Sequence, residues 1–308
     1  MPGDFDIWVG LNSDEGFHAD FNAEVMYAMV KNIKMTYLFG LILNILIVTG
    51  CNKAKNPYPA PEKPNDIKTL IWFDEFDYTG LPDNNKWSYD TAGNTGGWGN
   101  NELQFYTKAR LSNAEVKNGL LFINAKKEDY KGFKYTSARL ISKLKGDWLY
   151  GRFEIKSKLP SGRGMWPAIW MLPTDWVYGG WPSSGEIDIM ENVGYDPYWI
   201  VASAHTNSYN HVQGTQKNNK ISIPDCYDTF HVYALEWDAT EYRVYVDDTL
   251  YFTFKNEGTG YKAWPFDKRF HLLLNVAVGG NWGGAQGIDD SIFPRSMVID
   301  YVRVYQIK

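Results

Sequence analysis

Apolar and polar residues alternate in short runs along most of the chain, and Gly, Asn, Asp and Pro separate these runs. The run from 151 to 159 is the clearest case, because Phe153 and Ile155 alternate with charged residues. A period of two is typical of a strand with one buried face. The other predicted strands are 120–125, 165–172, 230–237, 242–247, 250–254, 270–278 and 297–305.

No long segment after the first of these runs has the 3.6-residue period of an amphipathic helix. Many short strands without helices predict an all-β fold, built as a sandwich of two antiparallel sheets. No internal repeat is present, which argues against a propeller. We therefore expect one folded domain over residues 69–308.

The stretch SGEIDIMENVG, from Ser184 to Gly194, concentrates three carboxylates between apolar neighbours. Glu186 and Asp188 share one face of an extended strand, whereas the odd spacing of Glu191 places it on the other. One extra residue, inserted as a β-bulge around Met190, would return Glu191 to the face of the other two acids.

Like charges at this spacing repel, and one carboxyl is forced to keep its proton near neutral pH. A protonated acid beside an ionised one is what hydrolysis of a glycosidic bond requires. The alternative is a solvated strand face, on which acids alternate with core residues.

Aromatic residues make up 16% of the chain, including 13 Trp and 21 Tyr. They fit either a β-rich core or a platform on which sugar rings stack. In the run 165–171, Trp166 and Trp170 share a face with Ala168, opposite an apolar set. We expect these indoles to line an open concave face, and packing under loops is the alternative.

Charge and cysteine content exclude several function classes. The net charge of −5 and the lack of a basic stripe argue against nucleic-acid binding. The two cysteines, Cys51 and Cys226, imply no disulfide framework and have no zinc-binding spacing. We expect Cys226 to be a buried free thiol.

The first 68 residues predict export to the cell envelope. Residues 1–28 have no clear period and are interpreted as an extension from a mis-assigned start. Residues 29–50 carry two lysines and then an uncharged run, which is typical of a secretory signal and short for a membrane span. The end of this segment resembles that of a bacterial lipoprotein signal, which implies lipidation of Cys51, and 51–68 is interpreted as a Pro-rich tether. A short buried helix is the alternative for 29–50.

Several motifs together resemble glycoside hydrolase family 16, and within it the bacterial laminarinases. The resemblance rests on SGEIDIMENVG with GMWPAIWMLP, and on WGNNELQFYT, SARLISK, GRFEIKSKLPSGRG, AHTNSYNH, FHVYALEW, NVAVGGNWGG and IDYVRVY. It implies a β-jelly roll with a concave substrate cleft and a retaining mechanism. In that mechanism Glu186 is the nucleophile, Glu191 is the acid/base and Asp188 assists the nucleophile.

The same resemblance implies further site residues. The implied sugar contacts are His205, Asn101, Arg139, Trp181 and Trp282, beside the two indoles of 165–171. Catalysis needs no cofactor. A structural calcium is implied at Glu75, the backbone of Gly119 and Asp300, away from the cleft, and plain strand-end capping is the alternative.

The predicted function is endo-cleavage of β-1,3-glucan by a monomer held at the cell envelope by its lipid. Two alternatives use the same fold: hydrolysis of agar- or carrageenan-type galactans, and glucan binding without catalysis. All three acids are present, which argues against a pure binding protein. No cluster of basic residues accompanies the motifs, which argues against a sulfated galactan.

Overall fold

The computed structural model describes residues 68–307 and two short backbone segments before them, β1 (Val9–Gly10) and β2 (Gly16–Phe17). The chain divides into two compact units, residues 1–63 and 64–308. In the first unit, β1 and β2 form an antiparallel pair. The predicted signal segment, Cys51 and nearly all of the tether lie outside the described residues. Within the described part, no helix is long and apolar enough to span a membrane.

The second unit is almost entirely β-structure, as the sequence predicts. Its strands are β3 (Thr69–Asp74), β4 (Ser88–Tyr89), β5 (Gln104–Tyr106), β6 (Ala114–Lys117), β7 (Leu120–Tyr130), β8 (Phe133–Ser137), β9 (Arg139–Ile141), β10 (Asp147–Trp148), β11 (Gly151–Lys158), β12 (Met165–Pro173), β13 (Glu186–Glu191), β14 (Trp199–His205), β15 (Lys217–Ser222), β16 (His231–Trp237), β17 (Glu241–Val246), β18 (Thr249–Lys255), β19 (Phe270–Val278) and β20 (Arg295–Gln306). Short 3₁₀ turns lie at Asn94–Gly99, His211–Gln213 and Asp290–Ile292.

These strands form two sheets. An eight-stranded sheet has the order β15-β14-β13-β12-β19-β9-β4, with β10 paired to β19. A ten-stranded sheet has the order β18-β17-β16-β11-β20-β7-β8-β5, with β3 paired to β20 and β6 to β7. Neighbouring strands are antiparallel except β5 and β8, which are parallel. The predicted two-sheet sandwich is confirmed.

The core lies between the sheets and follows the alternation read from the sequence. Phe153 and Ile155 of β11 are fully buried, and so are Ile169 and Met171 of β12. Their strand neighbours Trp166 and Trp170 are only partly buried, on the opposite face of β12. The predicted assignment of the two faces of this strand is therefore confirmed. Cys226 is a buried free thiol, also as predicted, and burial raises its pKa to about 12.

The hydrophobic pattern of the sequence did not predict the polar edge strand β15. β15 reads KNNKIS and is exposed at nearly every position, so no apolar alternation marks it. It is the edge strand of the eight-stranded sheet and pairs only with β14 in that sheet. An edge strand with one covered side needs few apolar residues, and lysines there discourage pairing with another chain.

Candidate active site

A bulge in β13 brings the three acids to one side of the sheet. Against β12, Asp188 pairs with Trp170 and Met190 with Ile169, so Ile189 has no partner residue. Ile189 and Met190 are both fully buried in the hydrophobic core. Two consecutive apolar residues thus turn to the core, and Glu191 returns to the side of the other acids. The predicted bulge is confirmed.

The three acids line a cleft of about 730 Å³ on the outer face of the eight-stranded sheet. The strands of this sheet supply its floor: Trp166, Ala168 and Trp170 from β12, the acids from β13, Ser203 and His205 from β14, Asn275 and Ala277 from β19, and Arg139 from β9. Loops supply the walls: Trp98, Trp176, Trp181, His211 and Trp282. All the predicted sugar-contacting residues line this cleft except Asn101.

Two side chains contact the acids directly. His205 Nε2 lies 3.2 Å from Asp188 Oδ2 and 3.9 Å from Glu186 Oε1. The cross-strand pairing of His205 with Glu186 accounts for this proximity. At the other end of the cluster, Trp166 Nε1 donates a hydrogen bond to Glu191 Oε1 at 3.0 Å.

The environment raises the pKa of all three carboxyls to about 8. Burial is the largest cause in each case, and the charge of Asp188 adds to it at Glu186 and Glu191. The hydrogen bond from Trp166 acts in the opposite direction and lowers the pKa of Glu191. Because each ionised carboxyl discourages its neighbours from ionising, the protons leave the cluster in separate steps, and an ionised carboxyl then lies beside protonated ones, which suits general acid catalysis.

A buried hydrogen-bond chain supports the floor of the cleft beside the acids. Trp170 Nε1 donates to Asn275 Oδ1 at 2.7 Å, and Asn275 Nδ2 donates to the Tyr106 hydroxyl at 3.0 Å. Glu102 Oε2 accepts from Tyr106 at 3.3 Å and from Gln104 Nε2 at 2.6 Å. Burial raises the pKa of Glu102. This series of hydrogen bonds fixes the Trp170 indole at the cleft surface.

Arg139 is held between two indoles. Its guanidinium carbon lies 4.4 Å from the Trp98 ring centroid and 4.6 Å from that of Trp170. Asp90 Oδ2 is 3.3 Å from its Nε atom. The planar guanidinium suits such stacking better than an ammonium group would. Arg139 therefore both lines the cleft and holds its aromatic wall.

The two loop indoles predicted from the resemblance also lie in the cleft. Trp282 packs edge-on against Trp166, with ring centroids 5.5 Å apart. Trp181 is 36% exposed, and its ring centroid is 5.0 Å from that of His211. Partly exposed indoles beside a carboxyl cluster provide stacking surfaces for sugar rings.

The prediction for Asn101 needs a correction, because its neighbour Asn100 lines the cleft instead. Asn101 has a left-handed backbone, with φ of 55°, and its Nδ2 atom donates to Asn281 Oδ1 at 2.8 Å. The backbone N–H of Asn281 donates to the carbonyl oxygen of Asn100 at 2.7 Å. Asn101 thus ties two cleft loops together instead of facing the cleft.

The residues predicted to hold calcium are paired with basic side chains. Both carboxylate oxygens of Glu75 accept from Arg303, at 2.7 and 2.9 Å. Asp300 Oδ2 lies 2.7 Å from Lys156 Nζ. Gly119 lies at a turn with φ of +74°. Basic side chains thus neutralise both carboxylates in this structure, and calcium at these residues stays an untested prediction.

Sequence reasoning missed several residues of the cleft. They are Trp98, Trp176, Glu102, His211, Asn275 and Asn281. For Glu102 a signal was present, because Glu102, Gln104 and Tyr106 alternate with Leu103 and Phe105 in the motif NELQFY. The loop residues Trp176 and His211 carry no local signal, since only the fold brings their loops over the sheet.

Comparisons with known proteins agree on one family. The family model described as "Glycosyl hydrolases family 16" matches residues 98–303. The chain is 54% identical over 285 residues to a beta-glucanase of Rhodothermus marinus, covering 90% of this chain and 97% of that one. The X-ray structure of the laminarinase from Rhodothermus marinus superimposes with a TM-score of 0.77 at 52% identity, over 79% of this chain and 99% of that one.

A second solved structure is similar and contains a sugar. It is a variant of SCLam, a non-specific endo-beta-1,3(4)-glucanase, co-crystallised with 1,3-beta-D-cellotriosyl-glucose. Its TM-score is 0.75 at 46% identity, over 78% of this chain and 95% of that one.

Proposed function

Because the chain belongs to glycosyl hydrolase family 16, we propose that it is an endo-acting β-1,3-glucanase that cleaves laminarin-type glucan with retention of configuration. The observation that carries this proposal is the bulged strand β13, which brings Glu186 and Glu191 into one cleft. The names of the similar proteins, beta-glucanase and laminarinase, support glucan as the substrate.

The first step breaks the glycosidic bond. Glu191 gives its proton to the glycosidic oxygen while the carboxylate of Glu186 attacks the anomeric carbon. The bond to the leaving sugar breaks, and an ester bond between the substrate and Glu186 forms. Burial raises the pKa of both glutamates, which favours the protonated form that Glu191 needs; at Glu186 the charges of His205 and Arg139 oppose this rise and favour the carboxylate that attacks.

The second step releases the product. Glu191, now ionised, takes a proton from a water molecule whose oxygen attacks the anomeric carbon. The ester bond breaks and Glu186 leaves as a carboxylate. Asp188 lies between the two glutamates along the strand, and its charge and His205 set the field around the nucleophile. The protein's own carboxyls carry every proton, so the reaction uses no cofactor.

A parallel assay tests the substrate class. We expect reducing ends to appear with laminarin and, more slowly, with lichenan, and not with agarose or carrageenan. Proton NMR during the laminarin reaction should show the β-anomer first, since two displacements restore the configuration. Hydrolysis of agarose or carrageenan in place of laminarin would overturn the substrate proposal, and an α-anomeric first product would overturn the mechanism.

We also propose that the enzyme is exported and anchored to the cell envelope through lipid on Cys51. The support is in the sequence alone: two lysines, an uncharged run and a terminal cysteine, followed by a Pro-rich tether. Metabolic labelling with an alkynyl fatty acid should mark the wild type and leave Cys51→Ser unlabelled. Equal labelling of both proteins would overturn the proposal.

A further inference from the structure

The acid cluster contains a set of side chains with the composition of a metal site. One ligand atom each from Glu186, Asp188 and His205 lies within 4.8 Å of the other two. Among residues 68–307, no other group of three His, Cys, Asp or Glu side chains meets this condition. Adjacent strands hold the three donors in place, because Glu186 pairs directly with His205 and Asp188 with Ser203.

Two of the three side chains are buried, and one oxygen atom of Asp188 has no hydrogen-bond partner among the described residues. Asp188 is 2% exposed and His205 is 6% exposed. Asp188 Oδ2 lies 3.2 Å from His205 Nε2 but has no hydrogen-bond partner among the described residues. A buried carboxylate oxygen without a partner is costly, and a cation between the facing donors would satisfy it.

We propose that Glu186, Asp188 and His205 bind a divalent transition-metal ion of the zinc type, and that this ion and glucan exclude each other. One imidazole nitrogen and two carboxylate oxygens suit zinc, whereas calcium and magnesium prefer oxygen ligands alone. Three protein ligands leave a fourth position open to the cleft. The metal engages the carboxylate of Glu186, which is then unable to attack the anomeric carbon.

Metal binding itself stands on geometry alone, and only its inhibitory effect rests on the proposed function. The first measurement therefore uses no substrate. The full chain is freed of metal with EDTA, dialysed, and titrated with ZnCl₂ in a calorimeter. We expect one site that Glu186→Gln and His205→Gln each weaken by at least about tenfold, in line with losses seen when metal sites are disturbed. Titration with CaCl₂ or MgCl₂ should give little heat.

The matched control is His231→Gln. His231 is also buried and lies between two carboxylates, 2.9 Å from Asp247 and 3.2 Å from Asp225, outside the cleft. Zinc binding should survive this change. Loss of binding in His231→Gln with retention in Glu186→Gln would overturn the proposal, as would the absence of any zinc binding. If His205→Gln fails to fold by circular dichroism, Asp188→Asn replaces it.

The second measurement uses laminarin. Zinc should raise the apparent KM without changing kcat, and EDTA should restore the rate. Zinc binding without competition would overturn the placement of the metal in the acid cluster. If laminarin is not hydrolysed at all, the proposed function fails, and the calorimetry still decides the metal site.

Discussion

The indole N–H of Trp166 donates to the carboxylate of Glu191 across 3.0 Å, from the strand that pairs with the bulged one. This bond stabilises the ionised form of Glu191 and so opposes the rise in pKa that burial causes. It also fixes the direction in which this carboxyl points. Trp166 therefore positions the proposed acid/base and tunes its proton affinity.

Replacing Trp166 with Phe should shift the pH profile. Without the N–H, the pKa of Glu191 rises further, so the alkaline limb of kcat/KM moves to higher pH. A lost hydrogen bond to a charged group costs about 1.5–3 kcal/mol, so kcat/KM should fall on the order of ten- to a hundredfold. Initial rates on laminarin from pH 4 to 10 measure both effects.

Trp170→Phe is the matched control for this profile. Trp170 is an indole of the same strand and the same cleft, but its N–H donates to Asn275 and not to an acid. Its loss should change KM and leave the alkaline limb in place. An identical shift in both variants would contradict the role of Trp166.

Replacing either proposed catalytic glutamate should remove most turnover. Glu186→Gln removes the nucleophile and Glu191→Gln removes the proton donor, which contributes typically about 10²–10⁴-fold. Glu102→Gln, a change at another buried carboxyl of the cleft, should cost far less. Steady-state rates on laminarin are the measurement, and ordinary activity in either of the first two variants contradicts the assignment.

Azide separates the two glutamate roles. In Glu191→Ala, azide attacks the glycosyl-enzyme and should give a β-glycosyl azide with an activated aryl glucoside. In Glu186→Ala, azide attacks the substrate directly and should give the α-glycosyl azide. If the roles were reversed, Glu191→Ala would give the α-glycosyl azide and Glu186→Ala the β-glycosyl azide. NMR distinguishes the two products.

Deleting Met190 should leave measurable activity. Ile189 would then pair with Ile169 and with Ala202, and Glu191 would keep its partners Ala168 and Val201. A regular strand with this shorter spacing still places the last acid on the cleft face. The loss of a fully buried Met should cost about 2–5 kcal/mol of unfolding free energy.

Urea unfolding and laminarin assays measure the two effects of this deletion. The activity of the deletion variant should exceed that of Glu191→Gln. A folded deletion variant as inactive as Glu191→Gln would show that the bulge does more than restore the face of the last acid.

The contribution of Asp188 to stability should fall as the pH rises from about 4 to 8. Burial raises the pKa of Asp188 in the folded protein from 3.8 to about 8. Between these values the folded state binds the proton and the unfolded state does not, so raising the pH favours unfolding. Asp188→Asn should flatten this dependence in urea unfolding at pH 5 and pH 8, and an unchanged slope would contradict the raised pKa.

Arg139→Lys should destabilise the protein by about 1–2 kcal/mol, because an ammonium does not stack between two indoles as a guanidinium does. Arg269→Lys is the control, since Arg269 pairs with Asp175 at the exposed surface. Its effect should stay within about 0.5 kcal/mol. Equal losses in urea unfolding would contradict the role given to the stacked guanidinium.

The sequence by itself determined which residues face the cleft wherever a strand is regular. The alternation in β12 assigned Trp166 and Trp170 to the open face, and the spacing of Glu186 and Glu191 required a bulge. The buried state of Cys226 was also predicted correctly. These inferences hold because the period of two is a local property of an extended backbone, and burial selects between only two faces.

Only the tertiary structure decided which loops meet over the sheet. Asn101 and Asn281 are 180 residues apart in the chain and are joined by a hydrogen bond, and Asn100 lines the cleft in place of Asn101. Trp176 and His211 reach the cleft from loops without a period, and Arg303 takes the carboxylate of Glu75 predicted for calcium. Such placements depend on contacts between distant segments, which no local pattern records.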